Sequence, residues 1–167
     1  EKNVHCLKRI RISSLEASQL THEVIHVLNQ SEKIVPHLHI PLQSGSDTVL
    51  ERMRRKYSTG FYKQRIEKIK KIFPHLAITS DVIVGFPGET EEEFQETINF
   101  VKEIGFSELH VFPYSRRTGT PAARMDHQVD DEVKNRRVQE LIDLSSEQAL
   151  AYAKHYENEV LEVIPEE

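Results

Sequence analysis

Three turns with the composition of ligand-binding loops follow apolar stretches of this sequence. They read QSGS at 43–46, GFPGET at 85–90 and FPYSRRTGTP at 112–121. Glycines such as Gly85 and Gly88 let the backbone approach a ligand closely, and the N–H groups after each turn can bind an anion. None of the turns matches the P-loop or the G-x-G-x-x-G fingerprint, which disfavours nucleotide binding of those kinds.

Two histidine patterns have the spacing of metal sites. His22 and His26 belong to a literal H-E-x-x-H, but at about 100° per residue they point away from the apolar stripe of their predicted helix. That orientation indicates a solvated helix face rather than a zinc site. His37 and His39 share one face of a predicted strand, where Asp81 could join them, although polar filling near a strand start explains the pair more simply. We therefore predict no metal site.

Arginines concentrate in the third turn. Arg116, Arg117 and Arg124 lie just beyond the end of a predicted strand, where arginine can hold a phosphate or an RNA backbone. A solvated loop would have the same composition, so both interpretations stay open at the level of composition.

The elements that must position these turns alternate between strands and helices. Apolar or alternating β-branched stretches predict strands at 9–15, 37–42, 76–84 and 108–112. Capping residues predict helices between them that begin at Ser18, Ser46, Ser58 or Thr59, and Thr90, the second of them ending at Arg55, and a long helix at 131–157. This alternation implies a parallel sheet with right-handed crossovers. Four strands cannot close an eight-stranded barrel. The sequence therefore predicts an α/β fold, either half of a TIM-like barrel with about four parallel β/α units or a small open sheet.

Both ends of the sequence look cut, which favours the half-barrel. There is no initiator Met, and residues 160–164 have the pattern of a first strand that belongs to something further. We therefore expect a fragment that lacks the first half of its barrel.

Length and composition exclude several classes of protein. The 167 residues suit one domain or a large piece of one, and 22 Lys+Arg against 27 Asp+Glu give a net charge of −5, so no global positive field indicates nucleic acid. No long apolar run predicts a membrane span, and we expect a cytoplasmic protein. Cys6 is the single cysteine, which removes an intrachain disulfide, a CxxC redox pair and a self-contained iron–sulfur site.

Together the three turns and their flanking residues resemble the radical S-adenosylmethionine methylthiotransferases. The segments are HLHIPLQSGSDTVLERMRRKY, TSDVIVGFPGETEEEF and ELHVFPYSRRTGTPAARM, in the order of the second half of that family's barrel, and the likeness spans about residues 9–150. IRISSLEASQLT and GTPAARM resemble the branch that acts on N6-threonylcarbamoyladenosine in tRNA. The terminal NEVLEVIPEE resembles the entry into the family's RNA-binding TRAM domain. The resemblance implies residues 1–128 as half-barrel, 129–157 as a helix linking out of it, and 158–167 as the first strand of a truncated TRAM domain.

The resemblance also implies a reaction and its cofactors. Enzymes of this family use S-adenosylmethionine and two [4Fe–4S] clusters, one of them held by C-x-x-x-C-x-x-C. A 5′-deoxyadenosyl radical abstracts hydrogen from C2 of the adenine, and a methylthio group is installed there. With Cys6 alone the sequence carries neither cluster motif. We therefore expect the chain to be inactive by itself.

The resemblance assigns the family's binding residues to this sequence by their positions in the motifs. Gln43 and Ser44 would contact polar groups of the cofactor, and Arg55 would pair with its carboxylate, with Arg54 an equal candidate. The segment at 81–89 resembles the family's adenine-side motif. The resemblance implies cofactor contacts at Gln43, Ser44, Arg55, Asp81, Gly85, Val111 and Phe112, and tRNA contacts at Arg116, Arg117 and Arg124.

Other interpretations fit the same elements. Within the family, the isopentenyladenosine branch and the branch acting on a ribosomal-protein aspartate are close alternatives. Outside it stand an α/β module that binds RNA or a protein partner, and a small-molecule enzyme with a phosphate at GFPGET. Because a half-barrel exposes sheet edges, the sequence also predicts a possible homodimer through those edges.

Overall fold

Three parallel strands form the centre of the fold in the computed structural model, which describes residues 6–162. β1 spans His37–His39, β2 spans Ala77–Val84 and β3 spans Glu108–Pro113, and they lie in the order β1-β2-β3. β2 pairs in parallel with both neighbours. The predicted α/β half-barrel is thus confirmed as a fold class, with three strands instead of four among the described residues.

Helices connect and follow these strands, and most begin at the predicted caps. Thr90 and Glu93 form a capping box at the start of one helix, which ends at Gly105 with a left-handed φ of 64°. Ser58 caps another by accepting from the Phe61 N–H. The helices are α1 (His22–Gln30), α2 (Asp47–Arg52), α3 (Thr59–Ile72), α4 (Glu91–Ile104) and α5 (Asp131–Ala153), and 3₁₀ turns occupy Ala17–Gln19, Ala122–Arg124 and Lys154–Tyr156.

The strand predicted at 9–15 is wrong. Ile10 forms one isolated bridge with Ile34, and the Leu15 N–H donates to the His39 carbonyl at 2.9 Å, but no ladder develops. Among the described residues, backbone contacts form only near the two ends of the segment, and Ser13 and Ser14 between them are exposed, so no buried side chains there favour a strand.

Two helix boundaries and one further strand also differ from the prediction. α2 ends at Arg52, because Arg54 adopts a left-handed φ of 57°. α1 begins after Thr21 rather than after Ser18, and Val27 on this helix is 60% exposed. The strand predicted at 160–164 does not form over 160–162, and its remainder lies outside the described residues.

One side of the sheet holds the hydrophobic core, and the other side is open. On β2, Ile78, Val82 and Val84 are buried among apolar side chains of α3 and α4. The alternate residues of β2, including Thr79 and Asp81, face the opposite way, towards what would be the interior of a barrel. This inner face carries several polar side chains.

α5 covers the outer edge of the sheet. The Ser145 hydroxyl accepts the Leu109 backbone N–H of β3 at 2.9 Å, and Leu141 is fully buried in the core. The domain boundaries predicted at 128 and 157 stay predictions. Over residues 6–162, no helix is long and apolar enough to cross a membrane.

Candidate functional site

The carboxyl ends of the three strands surround a cavity of about 490 Å³. Its wall includes Gln43 after β1, Asp81 and Ile83 on β2, and Phe112 on β3. A neighbouring cavity of about 370 Å³ shares Ile83 and adds residues of the 52–55 and 120–125 segments. Because parallel strands end at the same edge of the sheet, residues of the QSGS turn and of the 112–121 turn meet at the first cavity, and Phe86 of the GFPGET turn lines the second.

Gln43, in the wall of the 490 Å³ cavity, has a strained backbone conformation. Its φ is 72°, although it is not a glycine, and it is about nine-tenths buried. Its backbone N–H donates to the Asp81 carbonyl at 2.8 Å, and its carbonyl accepts from the Ile83 N–H at 2.9 Å, so the sheet fixes this conformation. A left-handed non-glycine residue enforced by its surroundings is typical of binding sites.

Arg55 turns towards this residue. Its Nη2 donates to Gln43 Oε1 at 3.0 Å. Arg54 also lines the smaller cavity, but within residues 6–162 no hydrogen bond joins its guanidinium to the strand ends. The structure thus brings Arg55 to the strand end, where the resemblance placed the partner of the cofactor's carboxylate; that role stays a prediction.

Two other residues that were predicted to contact the cofactor, Ser44 and Gly85, do not line the 490 Å³ cavity. Ser44 is completely buried, with its hydroxyl 3.3 Å from the Thr97 hydroxyl of α4, and it lies outside the wall of the 490 Å³ cavity. Gly85 has a φ of 71°, and the space where its Cβ would lie is filled by the side chain of Lys134 on α5. The close approach that Gly85 permits is therefore to α5, and a ligand contact at Gly85 stays a prediction.

Phe112 and Val111 point to opposite faces of β3. Phe112 is 49% exposed and lines the cavity, whereas Val111 packs against the core. This follows from the period of two along a strand. Of the two predicted apolar contacts, the structure brings Phe112 to the site.

The loop at 113–124, called the arginine loop, lines the cavity next to the strand ends. Arg117 contributes to the wall, and Arg116 is tied down by donating from Nε to the Ala123 carbonyl at 2.8 Å. Arg124 is exposed on the short 3₁₀ turn. Arg117 therefore lies at the cavity, whereas Arg116 and Arg124 lie elsewhere on the same loop, and contact of the three arginines with tRNA stays a prediction.

A buried ion pair that sequence reasoning missed locks the GFPGET turn to α5. Arg137 Nη1 donates to Glu89 Oε2 at 2.7 Å, and the same carboxylate oxygen accepts the Gly85 N–H at 2.5 Å. Burial raises the pKa of Glu89, while the Gly85 N–H and Arg137 act in the opposite direction. The sequence predicted that Glu89 belongs to a turn. Its partner Arg137 lies far away in the sequence, so local patterns could not predict the ion pair.

Metal binding has no support among the described residues. No group of three or more His, Cys, Asp or Glu side chains within 6–162 has the arrangement of a metal site. His22 and His26 are exposed, as predicted, and Cys6 is exposed. The cavity thus combines an amide, a carboxylate, an arginine and an aromatic ring, a set that suits a polar organic ligand with an aromatic part.

The fold and the strand-end site define a partial β/α barrel with its ligand site at the usual edge. A family model described as the radical SAM superfamily matches residues 4–101, which is more than half of the chain. The chain belongs to the radical SAM superfamily. Its fold is similar to that of coproporphyrinogen III oxidase (HemN) from Escherichia coli, with a TM-score of 0.66 and 22% identity over 84% of this chain and 32% of that one.

Curated relatives are similar over almost the whole chain. Threonylcarbamoyladenosine tRNA methylthiotransferase MtaB of Bacillus subtilis (strain 168) is 69% identical over 167 residues, which cover 37% of that protein. The tRNA-2-methylthio-N(6)-dimethylallyladenosine synthase of Lachnoclostridium phytofermentans is 42% identical over 166 residues and 36% of its length. The protein of the same name in Nocardia farcinica is 49% identical over 145 residues. The chain spans about a third of the length of these relatives.

Proposed function

We propose that this chain forms part of a tRNA-modifying radical SAM methylthiotransferase that acts on C2 of N6-threonylcarbamoyladenosine. The observation that carries the proposal is the 69% identity to a threonylcarbamoyladenosine tRNA methylthiotransferase along the full length of the chain. The relatives named for dimethylallyladenosine are 42% and 49% identical, which favours the threonylcarbamoyl branch.

The strand-end cavity fits S-adenosylmethionine. Arg55 would hold the carboxylate of its methionine part, Gln43 would orient its polar groups, and Phe112 would cover its adenine. When bound, this cofactor supplies the radical chemistry that gives the superfamily its name. The left-handed backbone at Gln43 fixes the amide before a ligand arrives, so little reorganisation accompanies binding.

An iron–sulfur cluster does not fit the residues of this chain. Three cysteine ligands or more are needed, and the sequence has only Cys6. The two clusters that the resemblance implies would be held by other parts of the whole protein. We therefore expect the chain alone to show no iron–sulfur spectrum after anaerobic reconstitution and no methylthiolation.

The arginine loop would bind the tRNA. Arg117 lines the cavity, and Arg116 and Arg124 are exposed on the same loop, so these cations could contact phosphates next to the modified nucleoside. A tRNA substrate also implies a cytoplasmic location. We retain the proposed organisation in which residues 1–128 belong to the barrel, 129–157 lead out of it, and 158–167 begin a TRAM domain.

Nucleoside analysis of tRNA tests this function. The gene encoding this chain is deleted, and tRNA nucleosides are compared by mass spectrometry with those of the parent strain and of a complemented strain. We expect N6-threonylcarbamoyladenosine to lose its methylthio group while methylthiolated isopentenyladenosine is unchanged. Loss of the methylthio group from isopentenyladenosine alone would assign the protein to the isopentenyladenosine branch of the family. No change in either nucleoside would contradict the proposal and favour a ribosomal-protein substrate or a binding module.

A further inference from the structure

The inner face of the sheet carries a connected row of polar side chains, of which only Asp81 is among the predicted cofactor contacts. His37 and His39 come from β1, Thr79 and Asp81 from β2, and His110 from β3. The parallel register sets His39 beside Thr79 and Asp81 beside His110. Side chains two apart on a strand share a face, so the row crosses all three strands on the open side of the sheet.

Both oxygens of one carboxylate are contacted by histidines from the flanking strands. His39 Nε2 lies 3.2 Å from Asp81 Oδ2, and His110 Nδ1 lies 3.5 Å from Asp81 Oδ1. The two imidazole rings approach each other with centroids 5.6 Å apart. The two imidazoles thus approach the carboxylate from the two strands that flank β2, one near each oxygen.

The remaining contacts assign a single pattern of protons to this row. A nitrogen that faces a carboxylate oxygen carries hydrogen, so neutral His39 is protonated at Nε2 and accepts at Nδ1. The Thr79 hydroxyl, 3.0 Å from that Nδ1, then donates to it and accepts from His37 Nε2 at 3.1 Å. Burial lowers the pKa of His37, which agrees with a neutral ring there. His110 faces two carboxylates, and the nearer one, Asp81 at 3.5 Å against Glu108 at 3.9 Å, assigns its proton to Nδ1.

Asp81 also belongs to the wall of the strand-end cavity, together with Gln43, Ile83 and Phe112. A fixed carboxylate is an acceptor for hydroxyl and amino groups, and the neighbouring aromatic ring offers a stacking surface for a base. We propose that His39 and His110 are positioning residues that hold Asp81 as the acceptor for the hydroxyl or amino donors of an adenosine nucleoside. The inference rests on the proposed function, which requires an adenosyl group at this edge.

Other charged groups face the row and must be counted in any pH-dependent measurement. Glu108 Oε1 of β3 lies 3.9 Å from His110 Nε2, and Arg11 of the N-terminal segment acts electrostatically on His37. Glu108 is the first residue of β3, at the end of the strand opposite the cavity. Binding experiments are therefore carried out at one fixed neutral pH.

Nuclear magnetic resonance of this chain tests the inference in two ways. Imidazole ¹⁵N shifts report which ring nitrogen is protonated, and we expect Nε2–H at His39 and Nδ1–H at His110. Adenosine, used as the probe, is then titrated while the amide signals of Gln43 and Phe112 are followed. We expect these signals to shift with a weak, saturable affinity in the unmodified chain.

Matched variants separate positioning from packing. We expect His110→Leu and His39→Leu each to weaken adenosine binding about fivefold, the equivalent of one lost hydrogen bond. His110→Asn keeps a donor near the Nδ1 position and should bind within about twofold of the unmodified chain. His26→Gln, at an exposed histidine of α1, is the control for loss of an imidazole.

Several results would overturn the inference. These are unchanged adenosine affinity in both leucine variants, the opposite tautomers, or no adenosine-induced shift at Gln43 and Phe112 in the unmodified chain. Since the His110 side chain is half-exposed, its variants should fold, and their amide spectra verify this. The tRNA analysis is a separate measurement in cells, so failure here is distinguishable from failure of the proposed function.

Discussion

At the scale of single residues, Arg54 and Arg55 show what a motif can and cannot specify. The motif MRRKY placed an arginine near the cofactor but left two equal candidates. The structure separates them, because the left-handed backbone at Arg54 reverses the chain and sends Arg55 to Gln43. No local signal marks a left-handed arginine, so the choice required the fold. Val111 differs: the period of two along a strand was available in the sequence and already set it opposite Phe112.

A second residue-scale feature, the Arg52–Glu93 pair, gives a pH-dependent prediction. Arg52 donates to both carboxylate oxygens of Glu93, at 2.8 and 2.5 Å, and hydrogen bonds from Arg52 are the largest cause that lowers the Glu93 pKa to about 2. Because the folded pKa lies below the ordinary value of 4.5, this stabilisation is complete above about pH 4.5. It disappears as the pH falls through about 2.

We therefore expect Arg52→Gln to lower the free energy of unfolding by about 1–2 kcal/mol at pH 7. The difference from the unmodified chain should shrink as the pH approaches 2. Urea unfolding at pH 7, 5 and 3 measures it, with Arg54→Gln as the control for loss of a nearby arginine. An equal difference at all three pH values would contradict the assignment.

At the scale of elements, the sequence predicted what depends on local chemistry. The long α3 and α4 were predictable because a capping residue, an apolar stripe and a terminator coincide in each. β2 was predictable because its eight residues are largely apolar or β-branched. The segment at 9–15 instead alternates polar and apolar residues, its Ser13 and Ser14 are exposed, and it forms one bridge, from Ile10. The buried Arg137–Glu89 pair is non-local, since 48 residues separate its members.

Glycines at two element boundaries should respond oppositely to alanine. A Cβ at Gly45 would lie 2.7 Å from the Thr97 Cα and 2.8 Å from the Phe100 Cβ, so α4 would have to move away from the QSGS turn. At Gly60, in the first turn of α3, the nearest such atom is the Ser58 hydroxyl at 3.9 Å. We expect Gly45→Ala to destabilise the chain by about 1–3 kcal/mol and Gly60→Ala to stabilise it by about 0.5–1 kcal/mol.

Chemical unfolding of the two variants, side by side, provides the comparison. Gly60→Ala is the matched control, since it adds the same methyl group where space is available. Equal effects of the two substitutions would show that close packing of α4 on the turn does not determine the stability of this region.

At the scale of the whole molecule, the open face of the sheet determines how the chain meets other molecules. The sequence predicted self-association through exposed sheet edges. The structure covers part of each edge, through Ser145 at β3 and through Leu15 beside β1, but leaves the inner face open. We still expect a concentration-dependent dimer, and light scattering over a hundredfold dilution measures it. A mass that stays monomeric throughout would contradict this expectation.

The central claim is that the strand-end cavity holds the cofactor of a tRNA methylthiotransferase, with Arg55 on its carboxylate. The most direct measurement introduces Arg55→Ala and, separately, Arg54→Ala into the complete gene and determines the methylthiolated fraction of N6-threonylcarbamoyladenosine in cellular tRNA. We predict a loss of about tenfold or more for Arg55→Ala, the size expected for a missing charge-assisted pair, and a change within about twofold for Arg54→Ala. Equal methylthiolation in the Arg55→Ala strain and the parent, at equal protein levels, would contradict the account.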